Sequence, residues 1–264
     1  MKTYFLYIKL FLLSLFLFSC STVPGTGRKQ FAPIPASHMH SMSSSEYQKV
    51  IKEAKLSEDK EKVAMVRRVG KKIAGAVAQL LEEEGIEMKF DWEFNLIEDD
   101  KQANAWCMPG GKIAIYTGIL KYTKDETGLA VVMGHEVAHA VARHGNERMA
   151  RGLGISVATI ALGISLNQND PTTRNLFLAV FGAGATVGIM LPFSRSEETE
   201  ADKLGLQLMA RAGYDPAASI DFWKRMSESG GKNPLEFLST HPSNETRIQN
   251  LEQFIPEASI YYFP

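Results

Sequence analysis

The sequence has few cysteines, almost no net charge and no uninterrupted apolar run long enough to cross a bilayer, and each absence excludes something. Two cysteines among 264 residues cannot supply a framework of several disulfides. The 29 basic and 30 acidic side chains give a net charge of −1, so no nucleic-acid partner is expected. An apolar content of 45% without internal repeats instead predicts one domain with a substantial core.

The first twenty residues have the pattern of a targeting segment. Two lysines precede an apolar run at 10–18, which is shorter than the roughly 18 residues that a membrane span needs. The run ends Leu-Phe-Ser-Cys at Cys20, and this ending resembles a bacterial lipobox. We therefore expect a lipoprotein signal peptide over 1–19 and a lipid on the Cys20 thiol. The alternative is a simple signal anchor with an incidental cysteine.

The segment that follows this leader differs in composition from the rest of the chain. Residues 20–45 are rich in serine, proline and glycine, which indicates a lipidated cysteine followed by a flexible tether. The domain is therefore expected over 46–264. Helical spacing predicts helices at 46–56 and 59–83, and period-two alternation then predicts a small sheet. Its strands are expected at 89–96, 103–107 and 112–117.

The motif with the most chemical information is His-Glu-x-x-His at His135, Glu136 and His139. Residues four apart share one face of a helix, so both imidazoles can bind one cation while Glu136 stands beside it. Zn²⁺ suits such ligands, because it polarises a carbonyl and lowers the pKa of a bound water to about 7. Glu136 can take the proton of that water. The motif therefore predicts a hydrolytic zinc site with Glu136 as its base.

Two capping signals mark the helices that would build this site. Thr123 and Glu126 have the spacing of a capping box, two turns before His135. Ser194 and Glu197 have the same spacing further along the chain, just before an acidic turn. Both histidines are therefore expected in the middle of a helix, and the acidic turn at the start of another.

A catalytic zinc usually takes three protein ligands and a water, so one more ligand is expected downstream. Glu198 and Asp202 lie four residues apart in the acidic turn and share a face of its helix. One can bind the metal, and the other can hold the second nitrogen of a ligand histidine. We interpret their neighbours Glu197 and Glu200 as solvated charges that complement the helix dipole.

An unusually apolar stretch lies between these two helices, at 152–191. An Asn-Gln-Asn-Asp-Pro loop divides it into runs at 155–166 and 176–191. Two membrane helices are one interpretation, but each run is shorter than the roughly 18 residues that a span requires. A helical hairpin packed over the His-Glu-x-x-His helix is expected instead. Such a hairpin can restrict access to the zinc and can touch a membrane in part.

These motifs resemble metallopeptidase family 48, the gluzincins that include CAAX prenyl proteases, mitochondrial Oma-type proteases and bacterial envelope lipoproteins. The resemblance rests first on His-Glu-Val-Ala-His at 135–139 and Glu-Thr-Glu-Ala-Asp at 198–202. Further landmarks in family order are Asn-Ala-Trp-Cys-Met-Pro-Gly-Gly at 104–111, Thr117-Gly118, Arg143-His144-Gly145, Ser194-Arg195 and His241-Pro242. The resemblance implies an α+β, zincin-like metallopeptidase domain, mostly helical, with a small sheet beside the His-Glu-x-x-His helix.

The resemblance also implies a ligand set. His135, His139 and Glu198 are expected to bind one Zn²⁺ per chain, with Glu136 as the base. Asp202 is expected to act catalytically as the carboxylate that holds a ligand histidine.

Further residues are implied around the metal. Asn104 and Ala105 are expected to bind the substrate backbone by strand addition. His241 is expected near the zinc, where it either stabilises an oxyanion together with Arg247 or binds as a fourth ligand that keeps the enzyme latent. A loop histidine packed against proline is the remaining alternative. His144 lies off the ligand face of the helix and is expected to be structural.

Together these observations predict a zinc metalloendopeptidase attached to a membrane by a lipid. Ser21 after the lipobox resembles the outer-membrane sorting pattern, so the periplasmic face of the bacterial outer membrane is the expected location. Family and compartment imply unfolded or misassembled envelope polypeptides as substrates. The rival hypothesis is an envelope assembly or chaperone-like factor with a structural zinc, for which Glu136 would be unnecessary. A prenyl-protein protease fits poorly, because that branch has several membrane spans.

Overall fold

The computed structural model describes residues 20–152, 171, 194–229, 236–241 and 245–263. The signal peptide predicted over 1–19 lies outside these residues, as does nearly all of the helical hairpin predicted over 152–191. Within the described residues, no helix is both long and apolar enough to cross a membrane.

Helices dominate the chain, and a small sheet lies early in it. The first elements are β1 (Cys20–Thr22), β2 (Lys29–Phe31), α1 (Ala36–Glu53) and α2 (Lys60–Glu83). The sheet is built from β3 (Glu93–Ile97), β4 (Ala105–Met108) and β5 (Lys112–Tyr116). The helices that follow are α3 (Thr117–Thr123), α4 (Glu126–Val141), α5 (His144–Gly152), α6 (Arg195–Arg211), α7 (Ala218–Ser229), α8 (Glu236–Thr240) and α9 (Glu245–Ser259). The predicted mostly helical α+β class is confirmed.

The sheet is covered by helices on both faces, which explains why every residue of β5 is buried. Its strand order is β3-β5-β4, with β3 parallel and β4 antiparallel to β5. One face carries Ile113 and Ile115 into the core shared with α2, α4 and α6. The other face carries Trp106 and Met108 against α1. Because β5 occupies the centre, β4 forms the edge of the sheet, and it packs beside α4.

The segment expected to be a tether is folded onto the domain, so that prediction is wrong for the part that the structure describes. β1 and β2 pair as an antiparallel hairpin, here called the N-terminal hairpin (residues 20–31). Helix α1 then begins at Ala36 rather than at residue 46. The segment is rich in proline and glycine, yet it also buries apolar side chains. Each of them stabilises the fold by about 1.5–3 kcal/mol. They are Val23, Ile34, Met39 and Met42.

The observed helix starts agree with one of the two predicted capping boxes and disagree with the other. Asp59 caps α2 by accepting from Lys62 N–H at 3.1 Å. Ser194 begins α6 with a complete capping box, as predicted. The capping box predicted at Thr123 is wrong, because Thr123 ends the preceding helix α3 and Asp125 caps α4 by accepting from Gly128 N–H at 2.9 Å.

Helices α4 and α6 cross at a pair of glycines, and this crossing brings the His-Glu-x-x-His motif of α4 next to the acidic turn of α6. A Cβ added to Gly134 would lie 2.8 Å from the carbonyl oxygen of Gly205, and one on Gly205 would lie 3.0 Å from the backbone nitrogen of His135. Any side chain at either position would force the helices apart. The close approach therefore places the first turns of α6 directly beside the histidines of α4.

Candidate metal centre

Four buried side chains from three parts of the chain converge at this crossing. His135 and His139 lie one turn apart on α4, Glu198 lies in the first turn of α6, and His241 follows α8. Their donor atoms all lie within 4.8 Å of one another. The Nε2 atoms of His135 and His139 are 3.1 Å apart. His241 Nδ1 lies 3.1 Å from His135 Nε2 and 3.0 Å from Glu198 Oε1.

This donor set fits a zinc ion. Imidazole nitrogens and a carboxylate are ligands that Zn²⁺ takes, and bonds of about 2.0–2.1 Å in a tetrahedron place the donors about 3.3 Å apart. The hydrogen-bond and ion-pair separations between the donor atoms run from 3.0 Å to 3.5 Å. Burial opposes the charge of Glu198, but His241, His135 and His139 outweigh it and hold the pKa of that carboxyl well below its usual range. A cation gives these converging lone pairs a common partner.

The outer nitrogen of His135 is held by a carboxylate. Asp202 Oδ1 lies 2.9 Å from His135 Nδ1, and Arg247 Nη2 donates to the same oxygen at 2.6 Å. The Arg247 guanidinium lies 3.4 Å from the centre of the Trp223 ring, and this cation–π contact helps to hold the guanidinium in place. Burial and the charge of Arg247 oppose protonation of His135, yet Asp202 and Glu198 prevail and raise its pKa to about 9.

The outer nitrogen of His139 is held by a second histidine. His144 Nδ1 lies 2.8 Å from His139 Nδ1, and His144 Nε2 lies 2.8 Å from Glu200 Oε2. His144, which was expected to be structural, therefore holds the outer nitrogen of His139, and the solvated interpretation of Glu200 is wrong. Helix α4 ends at Val141 and Arg143 has a left-handed φ of 57°, so helical spacing no longer determines where His144 points.

The neighbouring Glu197 is also buried rather than solvated. Its side chain accepts from the Ser194 backbone N–H at 2.8 Å within the capping box. Its other oxygen accepts from Arg151 Nη2 at 2.8 Å. Glu197 therefore fastens α5 to the start of α6, close to the ligand Glu198.

Glu136 stands beside the four donors and is buried with them. Its Oε1 lies 3.3 Å from His241 Nε2 but accepts no hydrogen bond from the residues that the structure describes. Burial raises the pKa of Glu136 above that of an ordinary glutamate, although His241 and His135 oppose the rise. A carboxylate with an unused lone pair and a raised pKa suits a group that takes up and releases a proton.

The edge of the sheet runs past this site through β4. Tyr116 N–H donates to Asn104 O at 3.1 Å, so Asn104 and Tyr116 form a hydrogen-bonded pair between β4 and β5. Hydrogen-bonded and non-hydrogen-bonded pairs alternate along antiparallel strands, and Ala105 is opposite Ile115. The N–H and C=O groups of Ala105 and Cys107 therefore point away from β5. The Asn104 side chain accepts from Ala105 N–H at 2.9 Å. Of the two residues predicted to bind a substrate backbone, Ala105 therefore offers its carbonyl oxygen, while Asn104 is committed to the sheet.

A cavity of about 350 Å³ opens beside His139. It is lined by the start of α1, the segment before β3, the β4–β5 turn and the end of α4. Its wall includes Met39, Met88, Phe90, Pro109 and Arg143. Part of the wall thus comes from the segment that the sequence had suggested was a tether.

The structure brings the predicted residues His135, Glu136, His139, Glu198, Asp202, His241 and Arg247 into one buried cluster. Sequence reasoning missed the contribution of His144 and Glu200. The available signals were the histidine directly after the ligand helix and the alternation of acids in Glu198-Thr199-Glu200.

Comparison with known proteins supports the same chemistry. A family model described as Peptidase family M48 matches residues 45–255. The chain is 42% identical over 171 residues to the mitochondrial metalloendopeptidase OMA1 of Schizosaccharomyces pombe, covering 64% of this chain and 48% of the relative. It is 30% identical over 246 residues to human mitochondrial metalloendopeptidase OMA1, covering 89% and 46%. It is 31% identical over 166 residues to the beta-barrel assembly-enhancing protease of Escherichia coli, covering 61% and 34%. The chain spans half or less of the length of these relatives.

Proposed function

Because the chain belongs to peptidase family M48, we propose that it is a zinc-dependent endopeptidase that cleaves misfolded or misassembled polypeptides of a bacterial cell envelope. The observation that carries the proposal is the approach of His135 Nε2, His139 Nε2 and Glu198 to within 3.5 Å of one another, with Glu136 alongside. Two imidazoles, a carboxylate ligand and a separate buried carboxylate are what metal-assisted hydrolysis requires.

His135, His139 and Glu198 would hold the metal, and Zn²⁺ bound there supplies an electrophile that polarises the scissile carbonyl and acidifies water. Glu136 takes a proton from the attacking water at Oε1, which accepts no hydrogen bond from the described residues. Its raised pKa keeps that proton long enough to be returned to the leaving amine. Asp202 accepts the Nδ1–H of His135 and so keeps Nε2 available as a ligand atom.

The substrate backbone would lie along β4. Strand addition uses main-chain groups, here the Ala105 carbonyl and the outward groups of Cys107, and so recognises an extended chain with little regard for its sequence. The largely apolar cavity beside His139 offers room for a side chain of such a chain. Unfolded polypeptides expose both extended backbone and apolar side chains, whereas folded proteins hide them.

His241 decides whether the site is open. Its Nδ1 lies 3.1 Å or less from His135 Nε2 and Glu198 Oε1, and this proximity supports the role of a fourth ligand over that of an oxyanion donor. Four protein ligands also characterise structural zinc, and this observation favours the second candidate function, an envelope assembly factor that binds without cleaving. We favour a resting enzyme that opens when His241 leaves, because a structural site has no use for Glu136.

The test measures zinc content and cleavage of unfolded casein with the purified full-length protein in detergent. Glu136→Gln is expected to keep one zinc per chain and to lose cleavage by about 100-fold or more, because a general base contributes about 10²- to 10⁴-fold. Glu198→Ala is expected to lose zinc as well as cleavage. His241→Ala is expected to raise basal cleavage. Glu82→Gln, an exposed glutamate on α2, is the matched control and should behave as wild type.

Cleavage retained in Glu136→Gln would disprove the mechanism. Full zinc without cleavage in the wild type and in His241→Ala would favour the assembly factor instead. Lower cleavage in His241→Ala would indicate that His241 stabilises the oxyanion instead.

The envelope location rests on the leader and on Cys20. One group of relatives is named as mitochondrial and another as an assembly-enhancing protease of bacteria, so the relatives differ in compartment. We expect Cys20→Ser to stop incorporation of radiolabelled palmitate and to release the protein from the outer-membrane fraction. Cys107→Ser is the matched control, since this buried thiol should leave labelling unchanged. Labelled Cys20→Ser protein would argue against the lipid anchor.

A further inference from the structure

The support of His139 continues outward beyond His144 and Glu200. Glu200 Oε2 also accepts from Arg28 Nε at 2.7 Å, and Glu200 Oε1 accepts from the Thr26 hydroxyl at 2.5 Å. We use the name outer relay for His144, Glu200, Thr26 and Arg28. Two of its members belong to the N-terminal hairpin.

The outer relay has one consistent arrangement of protons when Nε2 of His139 is a ligand atom. The ring proton of His139 then lies on Nδ1 and is donated to His144 Nδ1, 2.8 Å away. His144 must carry its own proton on Nε2, from which it donates to Glu200 Oε2. Each contact thus fixes the tautomer of the ring before it, and the sequence of donors ends at a carboxylate held by Thr26 and Arg28. Ligand histidines are usually oriented by one such partner in direct contact.

The N-terminal hairpin is held firmly enough to fix those two residues. Its turn is closed by Val23 N–H donating to Arg28 O at 2.8 Å and by Gly27 N–H donating to Val23 O at 2.9 Å. Val23 is fully buried in the main core. Gly25 has a φ of +77°, and a Cβ there would lie 2.6 Å from Leu204 of α6. The hairpin therefore packs on the same helix that carries Glu198 and Glu200.

We propose that the N-terminal hairpin is part of the metal centre, with Thr26 and Arg28 as positioning residues that act on His139 through Glu200 and His144. The inference deepens the proposed function, on which it rests. Without the hairpin, Glu200 would keep only His144 as a partner from the outer relay, and the ring of His139 would lose its fixed tautomer and plane. The site would then hold zinc less tightly and in a less regular geometry.

The test uses the full-length protein and two readouts that need no cleavage. One is the rate at which bound zinc passes to a colorimetric chelator, and the other is the visible absorption spectrum of the cobalt-substituted protein, which reports ligand geometry. Glu200→Gln is expected to release zinc about 10-fold faster, at the low end of the range for outer partners of metal ligands. Arg28→Ala and Thr26→Val are expected to release it roughly 2- to 10-fold faster. All three should shift the cobalt spectrum.

Two control variants distinguish a role of Arg28 in positioning His139 from a role in merely holding the hairpin against the domain. Arg28 also binds Glu147, at 2.9 Å, through Nη2 rather than through the Nε that contacts Glu200. Glu147→Ala therefore removes the two hydrogen bonds that Arg28 donates to Glu147 and keeps the one to Glu200, so it should leave both readouts near wild type. Glu83→Ala breaks a bidentate pair with Arg211 far from the site and controls for the loss of any ion pair.

The inference fails if Arg28→Ala and Thr26→Val match wild type in zinc release and cobalt spectrum, or if they change only the melting temperature. It fails equally if Glu147→Ala changes both readouts as much as Arg28→Ala does, because the arginine would then act as a structural staple. Zinc binding without casein cleavage in both the wild type and His241→Ala would overturn the proposed function, while zinc release and the cobalt spectrum could still decide the present question.

Discussion

The two histidines of the metal centre sit one turn apart on the same helix, yet they are supported in different ways. His135 meets a carboxylate directly, at Asp202, and that carboxylate is held by Arg247. His139 meets another histidine first and reaches Glu200 only through it. In the metal-free protein the pKa of His135 is raised to about 9, whereas burial holds the pKa of His139 well below its usual value.

The difference shows that one motif can be supported from two distant parts of the sequence. The His135 side depends on Asp202 of α6 and Arg247 of α9. The His139 side depends on α5, on Glu200 of α6 and on the N-terminal hairpin, so it is complete only when the start of the chain has folded onto α6. A directly attached carboxylate should therefore give the stronger support.

Asp202→Asn is expected to give the larger loss. The change keeps the shape of the side chain but removes the charge that His135 and Arg247 share. We expect zinc affinity to fall by about 100-fold, at the upper end of the range for outer partners, because the Arg247 charge also loses part of its compensation. Competition with a chelator of known affinity measures this. Glu200→Gln is the paired variant, and an equal or greater loss there would reverse the comparison.

A smaller loss is expected from Gly134→Ala or Gly205→Ala, which wedge the helix crossing beside His135. The added methyl group meets backbone atoms at 2.8 Å to 3.1 Å, which cannot give way without moving a helix. We expect each change to lower the free energy of unfolding by about 1–3 kcal/mol. Denaturant titration of the metal-free protein measures this change. We expect any accompanying loss of zinc affinity to arise from displacement of His135, which lies next to the crossing.

Gly75→Ala is the matched control for the crossing. Gly75 lies in α2, is exposed, and has no atom within 4 Å of an added Cβ. Alanine is the better helix former there, so the free energy of unfolding should rise by about 0.5–1 kcal/mol. If Gly134→Ala stabilised the protein as Gly75→Ala does, the close approach of α4 and α6 would not be what places the ligands.

The parts of the site that sequence reasoning predicted are those that a single regular helix determines. His135, Glu136 and His139 follow from a spacing of four, and so does the choice of Glu198 and Asp202 as a pair on one face. The geometry also agrees with the resemblance, since Glu198 joins the donors and Asp202 stands behind His135. Within one helix, sequence separation and position in space are almost the same information.

The parts that were missed depend on where separate elements meet. The position of His144 was predicted from helical spacing, but the helix ends three residues earlier, at Val141. Glu200 was interpreted as solvated because its partners Thr26 and Arg28 lie more than 170 residues away. The Gly134–Gly205 contact likewise joins two residues whose sequence neighbourhoods give no sign of each other. The composition of residues 21–45 likewise predicted a flexible tether, because it is rich in proline and glycine. A few apolar residues of this segment are nevertheless buried against the domain.

The buried Val23 has a practical meaning for anyone who shortens this protein. The family match begins at residue 45, and a truncation designed from it would look harmless. It would uncover the face of the sheet that Met39 and Met42 protect and would leave a hole in the core where Val23 had been. We therefore expect that a version able to fold independently must include the N-terminal hairpin, well before the boundary of the family match, and that a version trimmed to that boundary aggregates.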